Sequence, residues 1–173
     1  IAGRQAPVSS DAAISYIRVY PGEVISHPGE NFSFSAHAYD DKGRFIKQID
    51  ATWETPASIG QIDSDGKLTT ANLTSGTAGL IKATAGGVTG QARIRVFPNV
   101  PWSEDFEGFE NNQNPPHWIG VSSHRSPGGR FIVKTEGENK VLAKPTNIKG
   151  IQRHIALIGT AEMKDYVVQV DVL

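Results

Sequence analysis

Apolar and polar positions along this chain alternate with period two in a series of short runs. Residues 14–20, ISYIRVY, set apolar Ile14, Tyr16 or Ile17, and Val19 among polar neighbours. In NFSFSAHAYD, Phe32, Phe34, Ala36 and Ala38 fall on one face, and Asn31, Ser33, Ser35, His37 and Tyr39 fall on the other. Successive side chains of a strand point to opposite faces, so both runs predict half-buried strands. The DDKG that follows predicts a hairpin turn, with Gly43 suited to a positive φ. Further strands are predicted at Trp53 in ATWET and at Ile62 and Leu68 on either side of a Ser-Asp-Gly turn. Two more flank the Gly86-Gly87 turn, and on the second of them Arg93 and Arg95 alternate with Ile94 and Val96. About seven short strands, punctuated by turns every 8–12 residues or so, have the spacing of a β-sandwich.

A second pattern starts after Pro98. NVP reads as a short linker, and WSEDFEGF as the opening of a new strand. A Pro-rich turn and HWIGV follow. RFIVKTEGENKVLAKP predicts a hairpin that turns at residues 136–139, and IQRHIALIG and YVVQVDVL predict two more strands. The last of these is apolar and has nothing after it to pair with, which would leave an exposed sheet edge. The expectation is that strands supplied elsewhere, by a following segment or a partner chain, complete this second sandwich. Residues 1–13, small, polar and Pro-containing, read as a linker within a longer protein.

Composition narrows the chemistry. The chain has 173 residues, a formal net charge of −1 and no cysteine. Disulfides, thiolate metal sites and a cysteine nucleophile are thereby excluded. Acids and bases balance on both sides of Pro98, so no basic face suits nucleic acid. No apolar run approaches the roughly 20 residues of a membrane span. Neither a Walker loop, a nucleotide-binding glycine fingerprint nor a serine-hydrolase elbow is present, so the chain is expected not to be an enzyme.

The ordered motifs VYPGE, PGENFSFSAHAYDDKG, ATW, GQIDSDGKLT and GTAGLIKATAGGVTGQARIRV resemble bacterial Ig-like domains of the invasin and intimin type, the Big family, over residues 14–98. That resemblance implies an all-β sandwich used as a spacer or adhesive module. DFEG, the Trp118 region, FIV and ENKVL, in residues 99–173, resemble the start of a concanavalin-A-like or carbohydrate-binding jelly roll. Such domains are longer, so the resemblance implies the N-terminal half of one. Together the two halves resemble the C-terminal part of exported planctomycete-type proteins that carry a pyrroloquinoline-quinone-like β-propeller. The implied role is a structural or binding segment of an exported, periplasmic or cell-surface multidomain protein, with polysaccharide or further protein chains as partners. The alternative is an accessory domain or subunit of a larger enzyme or electron-transfer complex whose active site lies elsewhere.

Candidate sites are few. Asp105 and Glu107 are two apart and would share a strand face; with Asp171 they are candidate ligands of a structural Ca²⁺, a hard cation that takes carboxylates. The competing reading is a solvated edge strand whose acids discourage pairing. A glycosidase acid pair lacks the E-x-D-x-x-E-type strand expected of such a fold. IDSDGK imitates an EF-hand start, but the twelfth position from Asp63 is Thr74 rather than Glu, so it reads as a turn. The five histidines lack metal-ligand spacing. Trp102 and Trp118 bracket a Pro-Pro loop and are candidate sugar-stacking residues; the competing reading is core packing, as for Trp53.

Overall fold

The structure, a computed structural model, describes residues 8–122, 131–144 and 154–172; of Val121, Ser122 and His154 only the backbone is described. The fold is all-β, with no helix among the described residues. The expected strand residues 151–153, together with His124 and Leu173, lie outside them. The chain divides into two compact units, Ile1–Asn72 with Ala78–Val96, and Leu73–Thr77 with Phe97–Leu173. The division falls beside the Pro98 joint, and the loop at 73–77 goes with the second unit.

The first unit holds ten strands in three sheets, an arrangement compatible with a β-sandwich. Strands β1 (Tyr16–Tyr20), β4 (Ser35–Tyr39) and β5 (Phe45–Ile49) form an antiparallel sheet in the order β1-β4-β5. Strands β2 (Glu23–Ser26), β10 (Val88–Val96), β9 (Thr77–Ala85) and β6 (Thr52–Glu54) form a second, in which β2 runs parallel to β10. Strands β3 (Asn31–Ser33), β8 (Lys67–Thr70) and β7 (Gly60–Ile62) form a third.

Alternation decides the core. Ile17 and Val19 of β1, Ala36 and Ala38 of β4, Ile81 and Ala83 of β9, and Ala92 and Ile94 of β10 are all buried. In β1 the inward pair is therefore Ile17 and Val19, which leaves Tyr16 facing solvent. NFSFSAHAYD keeps its predicted alternation but is two strands, not one. Phe34 leaves the ladder, and its amide donates to the carbonyl of Gly66 (2.8 Å), so β3 and β4 enter different sheets. The DDKG turn is closed by Asp40, whose Oδ1 accepts from the amides of Lys42 (3.0 Å) and Arg44 (2.8 Å), with Gly43 at φ 72°. Asp63 closes the Ser-Asp-Gly turn in the same way, accepting from Asp65 and Lys67.

The second unit departs further from expectation. WSEDFEGF is not a strand: residues 97–118 form turns and irregular structure. Short acid side chains compete there with a ladder for the backbone amides. Glu104 Oε1 accepts from Phe106 N (3.1 Å) and Asp105 Oδ1 from Glu107 N (3.0 Å), while Phe106 adopts φ 64°. The expected strand in HWIGV starts only at Ile119, as β11 (Ile119–Ser122), which pairs antiparallel with β14 (His154–Leu157). The 136–139 hairpin is present as β12 (Ile132–Glu136) and β13 (Asn139–Ala143), with Gly137 at φ 62°. YVVQVDVL is not a strand either. Its described residues, 166–172, have no ladder partner among the described residues.

Two left-handed glycines give a test of packing against backbone freedom. A Cβ on Gly66 would meet Phe34 O at 2.5 Å and the Trp53 ring at 3.0 Å, whereas one on Gly86 meets nothing within 4 Å. Gly86→Ala is expected to cost about 1 kcal/mol, for the positive φ alone. Gly66→Ala is expected to cost clearly more, because Phe34 O belongs to the chain crossing between sheets. Urea unfolding midpoints of the two variants check this; equal losses would remove the role given to the Gly66–Phe34 contact.

Candidate functional site

Each sequence-predicted residue has a definite place. Asp105 is exposed and turned onto the Glu107 amide. The Glu107 carboxylate accepts from the backbone amide of Lys140 at the start of β13, and Lys140 Nζ donates back to the carbonyls of Glu107 (3.1 Å) and Phe109 (2.7 Å). Glu107 thus ties the irregular segment to the hairpin. Asp171 is exposed in the unpaired 166–172 run. No group of three or more acids or histidines able to hold a metal ion occurs among the described residues. The structure therefore brings Asp105 and Glu107 together through a backbone hydrogen bond, and does not gather them with Asp171 into such a group.

Trp102 and Trp118 are half-buried and converge on a residue that spacing arguments passed over, His117. The His117 ring is fully buried. Phe97, Phe109, Trp102 and Trp118 surround it, with ring centroids at 5.3, 6.0, 6.5 and 6.4 Å. Gly76 closes the remaining side, where a Cβ would lie 2.1 Å from the imidazole Cδ2. Trp118 Nε1 donates to His117 Nε2 at 3.0 Å, which makes Nε2 the acceptor and puts the proton of the neutral ring on Nδ1. Nδ1 has no hydrogen-bond partner among the described residues.

Burial pushes the His117 pKa down to about 4. Burial likewise raises the Glu104 carboxyl, against a lowering by its bond from the Phe106 amide. Glu104 Oε2 lies 3.7 Å from His117 Nε2, but a neutral imidazole whose Nε2 is already accepting makes no ion pair there. Both groups sit where their uncharged forms are favoured. The arrangement is a packed aromatic interior with one polar bond, and the Trp102 and Trp118 rings are engaged inside it.

A different group of aromatics faces solvent. On β1, Tyr16 and Tyr20 are 55% and 40% exposed, and Phe45 on β5 is 50% exposed. Tyr20, His37 and Phe45 form a row across three strands, with successive ring centroids at 4.7 and 5.5 Å. Tyr39 stands 5.7 Å from Phe45, its hydroxyl 3.1 Å from that of Tyr20, and the Arg18 guanidinium lies 5.0 Å from its ring centroid. Of these, His37 and Tyr39 stand on the face that the alternation made polar; Tyr16 was read among the apolar positions, and no strand was predicted at Phe45. The signal missed was that the positions opposite Ile17, Val19, Ala36 and Ala38 carry rings. Neither the protein-family models nor the curated proteins compared with this chain match it.

His117 makes stability depend on pH in a defined direction. Its folded-state pKa lies below the unfolded value of 6.5, so its contribution is complete above pH 6.5 and is lost as pH falls toward 4. The loss is about 3 kcal/mol. Glu104, raised above 4.5, acts in the opposite sense, losing stability as pH rises through its folded pKa. Urea unfolding of a Trp53→Phe background, read by Trp102 and Trp118 fluorescence, is expected to show a midpoint that falls between pH 6.5 and 4. His117→Phe is expected to flatten most of that fall, and an unchanged slope would contradict the assignment.

Proposed function

We propose that this chain is a non-catalytic structural and binding segment of an exported multidomain protein, its first unit a spacer and its second a module completed by another strand. One observation carries the reading. In residues 166–172, Tyr166, Val167, Val168, Val170 and Val172 are 51%, 94%, 60%, 70% and 86% exposed. Exposed apolar runs of this kind mark interaction sites, and strand addition to a partner's sheet is one way of covering them. Polysaccharide or protein partners follow from the resemblance to cell-surface sandwiches. The described residues also include no helix long and apolar enough to cross a membrane.

The lack of catalysis is part of the proposal. His117, the most strongly shifted group, is sealed from solvent beneath aromatic rings and Gly76. Glu104 is engaged with a backbone amide. The buried His117 ring offers no exposed nitrogen to a substrate atom, as acid–base chemistry requires.

The test is association. Sedimentation velocity of the full chain over a range of concentrations is expected to show self-association through the 166–172 run. A Val168→Lys, Val170→Lys double variant is expected to sediment as a monomer and to keep the unfolding midpoint of the second unit. A chain that stays monomeric at every concentration and exchanges its 166–172 amides at the same rate with or without added strand peptide of that sequence would refute strand completion.

A further inference from the structure

A cleft of about 910 Å³ lies in the first unit beside β1. Its volume is within the range of ligand pockets. Its lining is mixed: beside Ile17 and Val19, Glu54 on β6, Lys82 and Thr84 on β9, and Thr89 and Gln91 on β10 offer hydroxyl, amide and charged groups. Thr84 and Thr89 hydroxyls stand 2.8 Å apart, and Glu54 lies opposite Lys82 in the β6–β9 ladder. Arg18 and Tyr20 also line the cleft. They belong as well to the exposed aromatic group on β1-β4-β5, so cleft and ring row share a border.

We propose that this cleft and the adjoining Tyr20–His37–Phe45 row hold an acidic polysaccharide, one whose sugar rings carry carboxylates. The chemistry is complementary on three counts. The apolar faces of pyranose rings match exposed aromatic side chains carried on a sheet, which in tyrosine keep a polar edge. The many hydroxyls of a sugar chain match the dense hydroxyl and amide groups of the cleft. The carboxylate matches Arg18, whose guanidinium fork binds carboxylates in pairs of hydrogen bonds and makes no ion pair with an acid among the described residues. Lys82 in the cleft faces Glu54 across the β6–β9 ladder, so the carboxylate's partner is Arg18. A polypeptide is the competing occupant, since Tyr, Phe and Arg are enriched at protein interfaces too; the hydroxyl and amide groups of the cleft favour the sugar chain, and the test below separates the two.

The site lies wholly in the first unit. It goes beyond the reading above, which gives the first unit a spacer role, by adding a binding site to that unit, and strand completion at 166–172 is independent of it. The experiment is affinity electrophoresis and titration calorimetry of the full chain with polygalacturonate and alginate, and with neutral xyloglucan and mixed-linkage β-glucan as comparators. A uronate polymer is expected to bind, and more weakly as salt is raised. Tyr20→Ala and Phe45→Ala are each expected to weaken binding about tenfold, since each removes a stacking ring from an exposed position. Arg18→Ala is expected to weaken it at least as much, and Arg18→Lys, which keeps the charge but loses the fork, to fall between. Unchanged melting of these variants shows that the effect is local, and Val168→Lys is expected to bind like the parent. The proposal is overturned if neither uronate polymer binds, if neutral glucans bind equally well, if the Tyr20 and Arg18 variants bind like the parent, or if the face instead captures a polypeptide.

Discussion

A backbone amide or carbonyl taken out of water must find a hydrogen-bond partner, and in a fold without helices that partner is a neighbouring strand or a local turn. This requirement organises both units. In the first, ladders satisfy most of the chain, and the exceptions are supplied by short side chains: Asp40 and Asp63 take the amides that their turns leave over. In the second, ladders are short, and the 97–118 segment is held by other means. The amide of Asn112 donates to Val133 O and that of Val133 to Gln113 O, so the irregular chain borrows the backbone of β12. Glu107 and Lys140 extend the same tie by side chain. Residues 166–172 have no ladder partner among the described residues, and their apolar side chains face solvent.

Legibility in the sequence followed from how local each determinant is. Most strands over residues 14–98 were readable because one face is buried, and burial writes a two-residue period into Ile17 and Val19, Ala36 and Ala38, Ile81 and Ala83; β2 and β5 were not predicted. Turns were readable wherever a glycine must take a positive φ, at Gly43, Gly66, Gly86 and Gly137. The split at Phe34 was not. Alternation continues through it without interruption, and the switch between sheets depends on a long-range bond to Gly66 that no local pattern encodes. WSEDFEGF misled for a related reason. Its spacing of aromatics and acids mimics a strand, but Glu104 and Asp105 bond the amides two residues on, and local turns prevail.

The candidate sites show the same division. Trp102 and Trp118 were legible as important aromatics, but not as walls around His117, because the ring that gathers them becomes a centre only once Gly76, distant in sequence, is brought against it. An uncharged imidazole there needs a donor for Nε2 and a snug apolar shell, and both come from residues that spacing rules treat as candidates for ligands. Aromatic content alone therefore does not separate a core from a binding face. What separates them is which side of the alternation carries the rings.

That criterion assigns different work to the two sets of aromatics. Around His117 the rings hide one another from water, and their value is apolar area removed from solvent. On β1-β4-β5 the opposite faces of the strands already bury small aliphatic and alanine side chains, so stability does not require rings outside. Tyr16, Tyr20 and Phe45 nonetheless stay 40–55% exposed, beside a guanidinium and a polar cleft. Exposed apolar area carries a continuing hydration cost that alanine or threonine at those positions would avoid. Cross-strand contacts of Tyr20 with His37 and of His37 with Phe45, tilted at 47° and 49°, offset part of that cost, and the ligand proposed above would offset more by covering the rings.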